Sequence, residues 1–318
     1  MAGGDDRGKY AVSLGPLDTL LERIGLTAAA TESDLRFSDG LRYRLEIPSV
    51  EGPQVLEAVL EEADRRSVAI RRVSQGSGVM MLTDPEIRAM AAIGREGGIE
   101  VSLFIGPRGA WDTGAQSLVS GAVAGAARGR DTLAWCVAEA RRACELGIRS
   151  LLVGDVGVLW TLDQLRSQGD LPTNLILKTS VVMSPANAAS AAVLEQLGAG
   201  TVNVATDLSV EQIAEIRRVI TVPIDVYVEV PDDQGGFVRF YDIPGLVRGA
   251  APVYLKLGIR NAPIIYPCGG HLMDVACKLG RERVRRAELC LRLLEELAPG
   301  LVEKRGDERP DDLAIPEA

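Results

Sequence analysis

Residues 175–216 read LILKTSVVMSPANAASAAVLEQLGAGTVNVATDLSVEQIAEI. The stretch opens on a short apolar run at 175–179. Ser184-Pro185 then begins an alanine-rich helical stretch that ends at Leu197 and is stopped by Gly198, a residue suited to the left-handed position past a helix. A second β-branched run follows at 201–205. The Ser-Val-Glu-Gln start at Ser209 resembles a capping box and opens another helix to residue 220. Strand, helix, strand, helix in so short a span calls for parallel strands joined by crossover helices.

The same alternation continues in both directions. Upstream, residues 42–47, 68–74, 99–105 and 149–153 read as strands. Helices are expected at 52–66, 84–95, 131–146 and 158–166. In the first of these, Val55, Leu56, Val59, Leu60 and Ala63 form one apolar stripe. Asp84-Pro85 supplies a cap and a proline at the first helical position of the second. Downstream, residues 224–228 and 253–257 are strands and residues 273–297 hold the last long helix. Eight strand–helix units with right-handed crossovers predict a single-domain α/β chain folded as a (β/α)8 TIM barrel over residues 37–300. An open, doubly wound sheet is the rival. Residues 1–36 form an N-terminal extension with a short amphipathic helix at 17–24, and residues 301–318 read as a disordered acidic tail.

The chain has 318 residues, 47% hydrophobic and 25% charged, which is globular composition for one barrel. Net charge is −9, so general nucleic-acid binding is disfavoured. No apolar run reaches the ~20 residues needed to span a bilayer, and the start is not a signal peptide. The expectation is a cytoplasmic protein with reduced thiols, and a homo-oligomer is open to it. The five cysteines, Cys136, Cys144, Cys268, Cys277 and Cys290, are odd in number and lack a CxxC pair, so no disulfide framework is expected.

Barrels of this kind carry their chemistry at the carboxyl ends of the strands. The polar residues there are Glu46, Arg72, Gln75, Ser102, Asp155, Lys178, Ser180, Asn203, Asp207, Glu229 and Lys256. Alternation puts Asp225, Tyr227 and Glu229 on one face and Tyr254 and Lys256 on another. Lysines and carboxylates aimed into one apolar cavity are costly unless paired. Glu229, Lys256, Lys178 and Glu46 are therefore the candidate catalytic residues. Glu46 or Glu229 would be a general base whose pKa burial raises, and Lys178 or Lys256 would hold an anion or stabilise an enolate. A structural Lys–Glu network and a Schiff-base lysine are the competing readings.

The connection at 106–129 is long and glycine-rich, and reads as a lid or a subunit contact. Arg108, Trp111 and Asp112 in it, with Gln75, Asn203 and Arg260 elsewhere, are candidate substrate contacts. Arg128 and Arg130 are further candidate anion contacts. No Walker or dinucleotide motif is present. His271, the only histidine, follows Cys268-Gly-Gly. Cys268 and His271 are weak candidates for a metal site with Cys277, or for a nucleophile pair. Cys136, Cys144 and Cys290 occupy apolar helix positions and read as core.

The block at 175–216 also resembles the central part of the collagenase-like peptidase family. It shows a strand, Asn187 before a helix, Leu197-Gly198 at the helix end, and Leu208-Ser209 with Glu211 to Ile213 opening the next helix. Leu255-Lys256-Leu257-Gly258-Ile259-Arg260 is similar to the family's strand motif, with Gly258 where the family has glutamate. The resemblance is clearest over 175–260 and implies a barrel and hydrolysis of peptides. Some members are linked to hydroxylation of RNA bases or ubiquinone precursors with iron–sulfur clusters. After the seventh strand this chain reads Val228-Glu229-Val230-Pro231 and then Gly235-Gly236-Phe237-Val238, without the family's cysteines, so no metal or iron–sulfur cluster is called for. The expected function is a TIM-barrel enzyme acting on a small or peptide-like polar substrate. A non-catalytic scaffold, a hydroxylation-related factor and a Schiff-base lyase or aldolase are the alternatives.

Overall fold

A computed structural model describes residues 32–106, 125–303 and 310–318, together with Arg23. Eight strands form a single parallel sheet: β1 (Tyr43–Pro48), β2 (Ile70–Gln75), β3 (Glu100–Ile105), β4 (Ser150–Val153), β5 (Ile176–Thr179), β6 (Val202–Asn203), β7 (Ile224–Glu229) and β8 (Val253–Leu257). The spatial order is β5-β4-β3-β2-β1-β8-β7-β6. β1 and β8 pair in register from Tyr43 opposite Val253 to Glu46 opposite Lys256. The remaining seam, between β5 and β6, is bridged at Lys178 and Thr201. There Thr179 N donates to Thr201 O (3.0 Å) and Gly200 N to Leu177 O (2.7 Å). The sheet is thus a nearly closed barrel, as expected, and not the open doubly wound alternative.

Helices follow each strand: α1 (Pro53–Arg66), α2 (Asp84–Gly97), α3 (Gly129–Glu145), α4 (Val156–Ser167), α5 (Ala188–Gln196), α6 (Val210–Arg217), α7 (Ile243–Gly249) and α8 (Met273–Leu297). The helix α7 escaped the sequence reading because seven residues with a Gly at each side of Leu246-Val247-Arg248 show little period. The expected cap at Ser209 is reciprocal. Gln212 N donates to Ser209 Oγ (3.3 Å) and Ser209 N to Gln212 Oε1 (2.9 Å). Helix α5 starts later than Ser184-Pro185 led us to expect. Ser184 takes a left-handed conformation closing the turn Val181–Met183, and Asn187 Oδ1 caps instead, accepting from Ser190 N (2.9 Å).

The core lies between sheet and helices. Leu45, Ile47, Val73, Leu103, Leu151, Leu177, Val226 and Leu255 turn outward onto Leu56, Val59, Ile87, Met90, Leu159, Leu162 and Ile213. Burial of each such side chain stabilises the fold by about 1.5–3 kcal/mol. Cys136, Cys144 and Cys290 are buried among them. No helix of the described residues is long and apolar enough to cross a membrane.

The tail corrects one expectation. Residues 310–318 lie folded along the amino-terminal end of the barrel rather than free. Leu313 and Ala314 are buried. Asp312 pairs with Arg44 (2.8 Å) and accepts from Ser38 Oγ (2.6 Å). Ala314 N donates to Glu100 Oε2 (3.3 Å), and Glu317 holds Arg149 (2.5 Å) and Asn174 (2.8 Å). Its charge and prolines masked a segment whose side-chain partners, Ser38, Arg44, Arg149 and Asn174, are all remote in sequence. Residues 17–24 lie outside the described residues, apart from Arg23.

Candidate active site

Inward-facing positions of six strands build one ionic network inside the barrel. Three cations, Arg72, Lys178 and Lys256, face three carboxylates, Glu46, Glu100 and Asp225, all essentially sealed from solvent. Glu46 is the hub: it meets Lys178 (2.9 Å), Arg72 (3.3 Å) and Lys256 (3.4 Å), and accepts from Ser74 Oγ (2.8 Å). Asp225 meets Lys178, Arg72 (3.0 Å) and Thr201 Oγ1 (3.1 Å). Arg72 Nε lies 2.8 Å from Glu100 without the alignment of a hydrogen bond, and its guanidinium stacks on Tyr254 at 3.4 Å. Like numbers of opposite charges offset the desolvation that each would suffer alone.

The charges set the protonation states. Burial opposes ionisation of Glu46, but Lys178, Lys256 and Arg72 together hold its carboxyl below the usual range. The general base with a raised pKa expected at Glu46 is therefore absent; this carboxylate is a counter-ion. Burial pulls Lys178 down to about 8 against the attraction of Asp225 and Glu46.

Above the network opens a pocket at the strand carboxyl ends. Lys256 reaches into its floor, with Asn203, Ser74, Tyr227, Ser49 and Tyr266 around it and Asp233 at the mouth. Turned to its hydrogen-bonding orientation, the Asn203 amide accepts from Lys256 Nζ (2.8 Å). The Tyr227 ring lies 4.3 Å from the same ammonium. Burial raises the hydroxyl pKa of both Tyr227 and Tyr266, so both stay protonated at neutral pH and can act as hydrogen-bond donors rather than as acids.

Lys178, Lys256, Glu46 and Asn203 thus come together; Glu229 does not. A bulge at Val228 shifts the register, so Tyr227 faces Lys256 while Glu229 pairs with outward-facing Leu257. Such a bulge re-aims the side chain beyond it. Glu229 accepts from Arg260 N (3.0 Å) and sits 3.7 Å from Arg286 of α8, apart from the pocket lining. Lys178 lies beneath the floor and does not line the pocket either. Gln75 lines it, but its amide is engaged with Gly78 N and O (3.0 and 3.1 Å). The Arg260 side chain is half exposed against Asp232 (3.4 Å). Asp155 caps α4 through Val158 N (2.8 Å). Arg108, Trp111 and Asp112 lie outside the described residues.

Burial pushes the Cys268 thiol up to about 11, and neither Cys268 nor His271 lines the pocket. Among the described residues no group of three or more His, Cys, Asp or Glu is placed to hold a metal ion. Sequence reasoning missed Glu100, at the amino end of its strand, and Ser49, Tyr266 and Asp233. The last three sit on loops with no periodic signal. Ser49, directly after β1, was the one position a search of strand ends could have found.

Residues 129–230 match the model of Peptidase family U32, which bears out the family resemblance read from the sequence. No curated protein matches the chain. Among solved structures, the chain is similar to the U32 peptidase Mk0906, at 13% identity over 73% of this chain and 95% of that one (TM-score 0.40). It is also similar to thiamine phosphate pyrophosphorylase from Pyrococcus furiosus, at 10% identity over 79% and 98% (TM-score 0.41). A third is a truncated 3-deoxy-D-arabino-heptulosonate 7-phosphate synthase from Thermotoga maritima, at 14% over 83% and 91% (TM-score 0.44).

Proposed function

We propose that this U32-like barrel is an enzyme acting on a small, peptide-like polar substrate held in the pocket above Lys256. The observation that carries the reading is the Lys256 ammonium. It is buried at the pocket floor, fixed by Glu46 and the Asn203 amide, and is the cation among the pocket-lining residues. An ammonium placed so in a low-dielectric site stabilises negative charge as it develops on a substrate carbonyl oxygen. Asp233 at the mouth offers the opposite charge to a substrate amine. A zwitterion or short peptide fits both.

The surroundings narrow the chemistry. The pocket lining holds neither cysteine nor His271, so a Ser–His or Cys–His relay is not built there from the described residues. Glu46 is held ionised by its cations and is a poor proton acceptor. Lys256 as charge stabiliser, with the protonated Tyr227 and Tyr266 hydroxyls as hydrogen-bond donors, is the chemistry the site favours. A Schiff base through Lys178 is disfavoured by its place under the floor. We further place the protein in the cytoplasm, on the support of five free cysteines.

The test is binding and turnover of L-alanine, glycylglycine and L-alanyl-L-alanine. Ligand-observed NMR and calorimetry would read binding, and amine release would read peptide cleavage. Lys256→Met is expected to weaken binding at least about tenfold, the worth of one charge-assisted contact. Failure of all three probes to bind the wild type, or equal binding by Lys256→Met, would sink the proposal.

A further inference from the structure

We infer that Ser49 is a second polar anchor of this pocket, selecting substrates that carry a hydroxyl besides the group held by Lys256. The inference rests on the Lys256 reading and adds a substrate feature to it. Ser49 follows β1 and adopts φ +60°, a left-handed conformation that L side chains avoid. Of the non-glycine residues with positive φ among the described residues, Ser67 ends α1, Ser184 ends a short helical turn and Asn261 lies in a turn. Ser49 alone of the four lines the pocket. Strain kept in a non-glycine residue at a binding site points to use of its side chain.

The side chain is held in one place. Ser49 Oγ hydrogen-bonds the Tyr266 hydroxyl. Tyr266 is fixed in turn by packing on Gly76, where a Cβ would come within 2.7 Å of its ring. Gly76 N and Ser77 N both donate to Glu51 (2.8 and 2.9 Å), and Cys268 N donates to Ser77 Oγ (2.9 Å). The loops after β1, β2 and β8 therefore lock the hydroxyl pair before any ligand arrives. A serine hydroxyl has one hydrogen and two lone pairs. The bond to Tyr266 uses one of these, and Oγ keeps the capacity to bond a ligand hydroxyl. A pre-organised hydrogen-bonding group discriminates strongly against an analogue that lacks its partner.

L-serine and L-alanine differ by one hydroxyl and are the probes. In the wild type, L-serine is expected to bind about tenfold tighter. In Ser49→Gly the preference falls to about one, while Tm stays level to within about 2 °C, because relief of the strain offsets the lost bond to Tyr266. Loss of selectivity in an equally stable protein is a result that a merely structural serine would not give. Tyr266→Phe, which unlocks the pair, is expected to reduce the preference as well. Equal binding of both amino acids to the wild type, with Lys256→Met still abolishing it, overturns this inference alone. A full preference retained in Ser49→Gly overturns it too. Failure of both amino acids to bind the wild type removes the pocket reading and this one together.

Discussion

Lys178→Met is the sharpest probe of the interior. Lys178 Nζ is wholly buried and neutralises two carboxylates, Glu46 at 2.9 Å and Asp225. Methionine fills a similar volume, so the loss is of charge rather than packing. Asp225 keeps Arg72 (3.0 Å) and Thr201 (3.1 Å); Glu46 keeps Arg72 (3.3 Å) and Lys256 (3.4 Å). Breaking a buried pair on one side costs about 3–5 kcal/mol, and the surviving partners argue for the lower end. At about 2 °C per kcal/mol in a chain of this size, Tm should fall by about 6 °C. Scanning calorimetry and urea unfolding would read it. The decisive comparison is the double variant Lys178→Met/Asp225→Asn, which restores neutrality. It should recover about 1–2 kcal/mol relative to the sum of the single changes. A single variant as stable as wild type, or two strictly additive changes, would refute the view that opposed charges hold the barrel interior together.

Two further outcomes follow from the same contacts. Deleting residues 310–318 removes buried Leu313 and Ala314 and strips Arg44 of Asp312; a loss of about 2–4 kcal/mol is expected in urea unfolding. In acid, Glu46 matters most. Its folded pKa lies below the unfolded value of 4.5, held there by Lys178, Lys256 and Arg72 against burial. Its stabilising contribution is therefore present above pH 4.5 and is lost as pH falls below that, because the unfolded chain takes up the proton first. Glu46→Gln should flatten the acid limb of a stability–pH curve; an unchanged limb would show that another carboxylate governs it.

Much of the barrel was legible in the sequence. The 2.0 and 3.6 periods, Gly198 after Leu197, and the Ser209 cap are local signals, set by residues within a few positions of one another. They placed all eight strands to within a few residues. The candidate residues Lys178, Lys256, Glu46 and Asn203 were found by the same means, because alternation along a short strand decides which side chains point inward.

Alternation failed at Glu229. One bulge at Val228 reverses every facing beyond it, and that bulge shows only in the register against β8, outside any local pattern. The sign of the Glu46 shift was likewise out of reach. Burial alone raises a carboxylate, and only the closed barrel shows that Lys178, Lys256 and Arg72, each from a different strand, outweigh it. The tail at 310–318 and the Ser49–Tyr266 pair are of the same kind. The sequence by itself determined the elements and their order, since these rest on local periodicity and capping. The tertiary structure decided which charges meet, which carboxylate stays ionised and what lines the pocket, since partners such as Glu46 and Lys178, Arg72 and Asp225, or Ser49 and Tyr266 meet only through chain closure over more than a hundred residues.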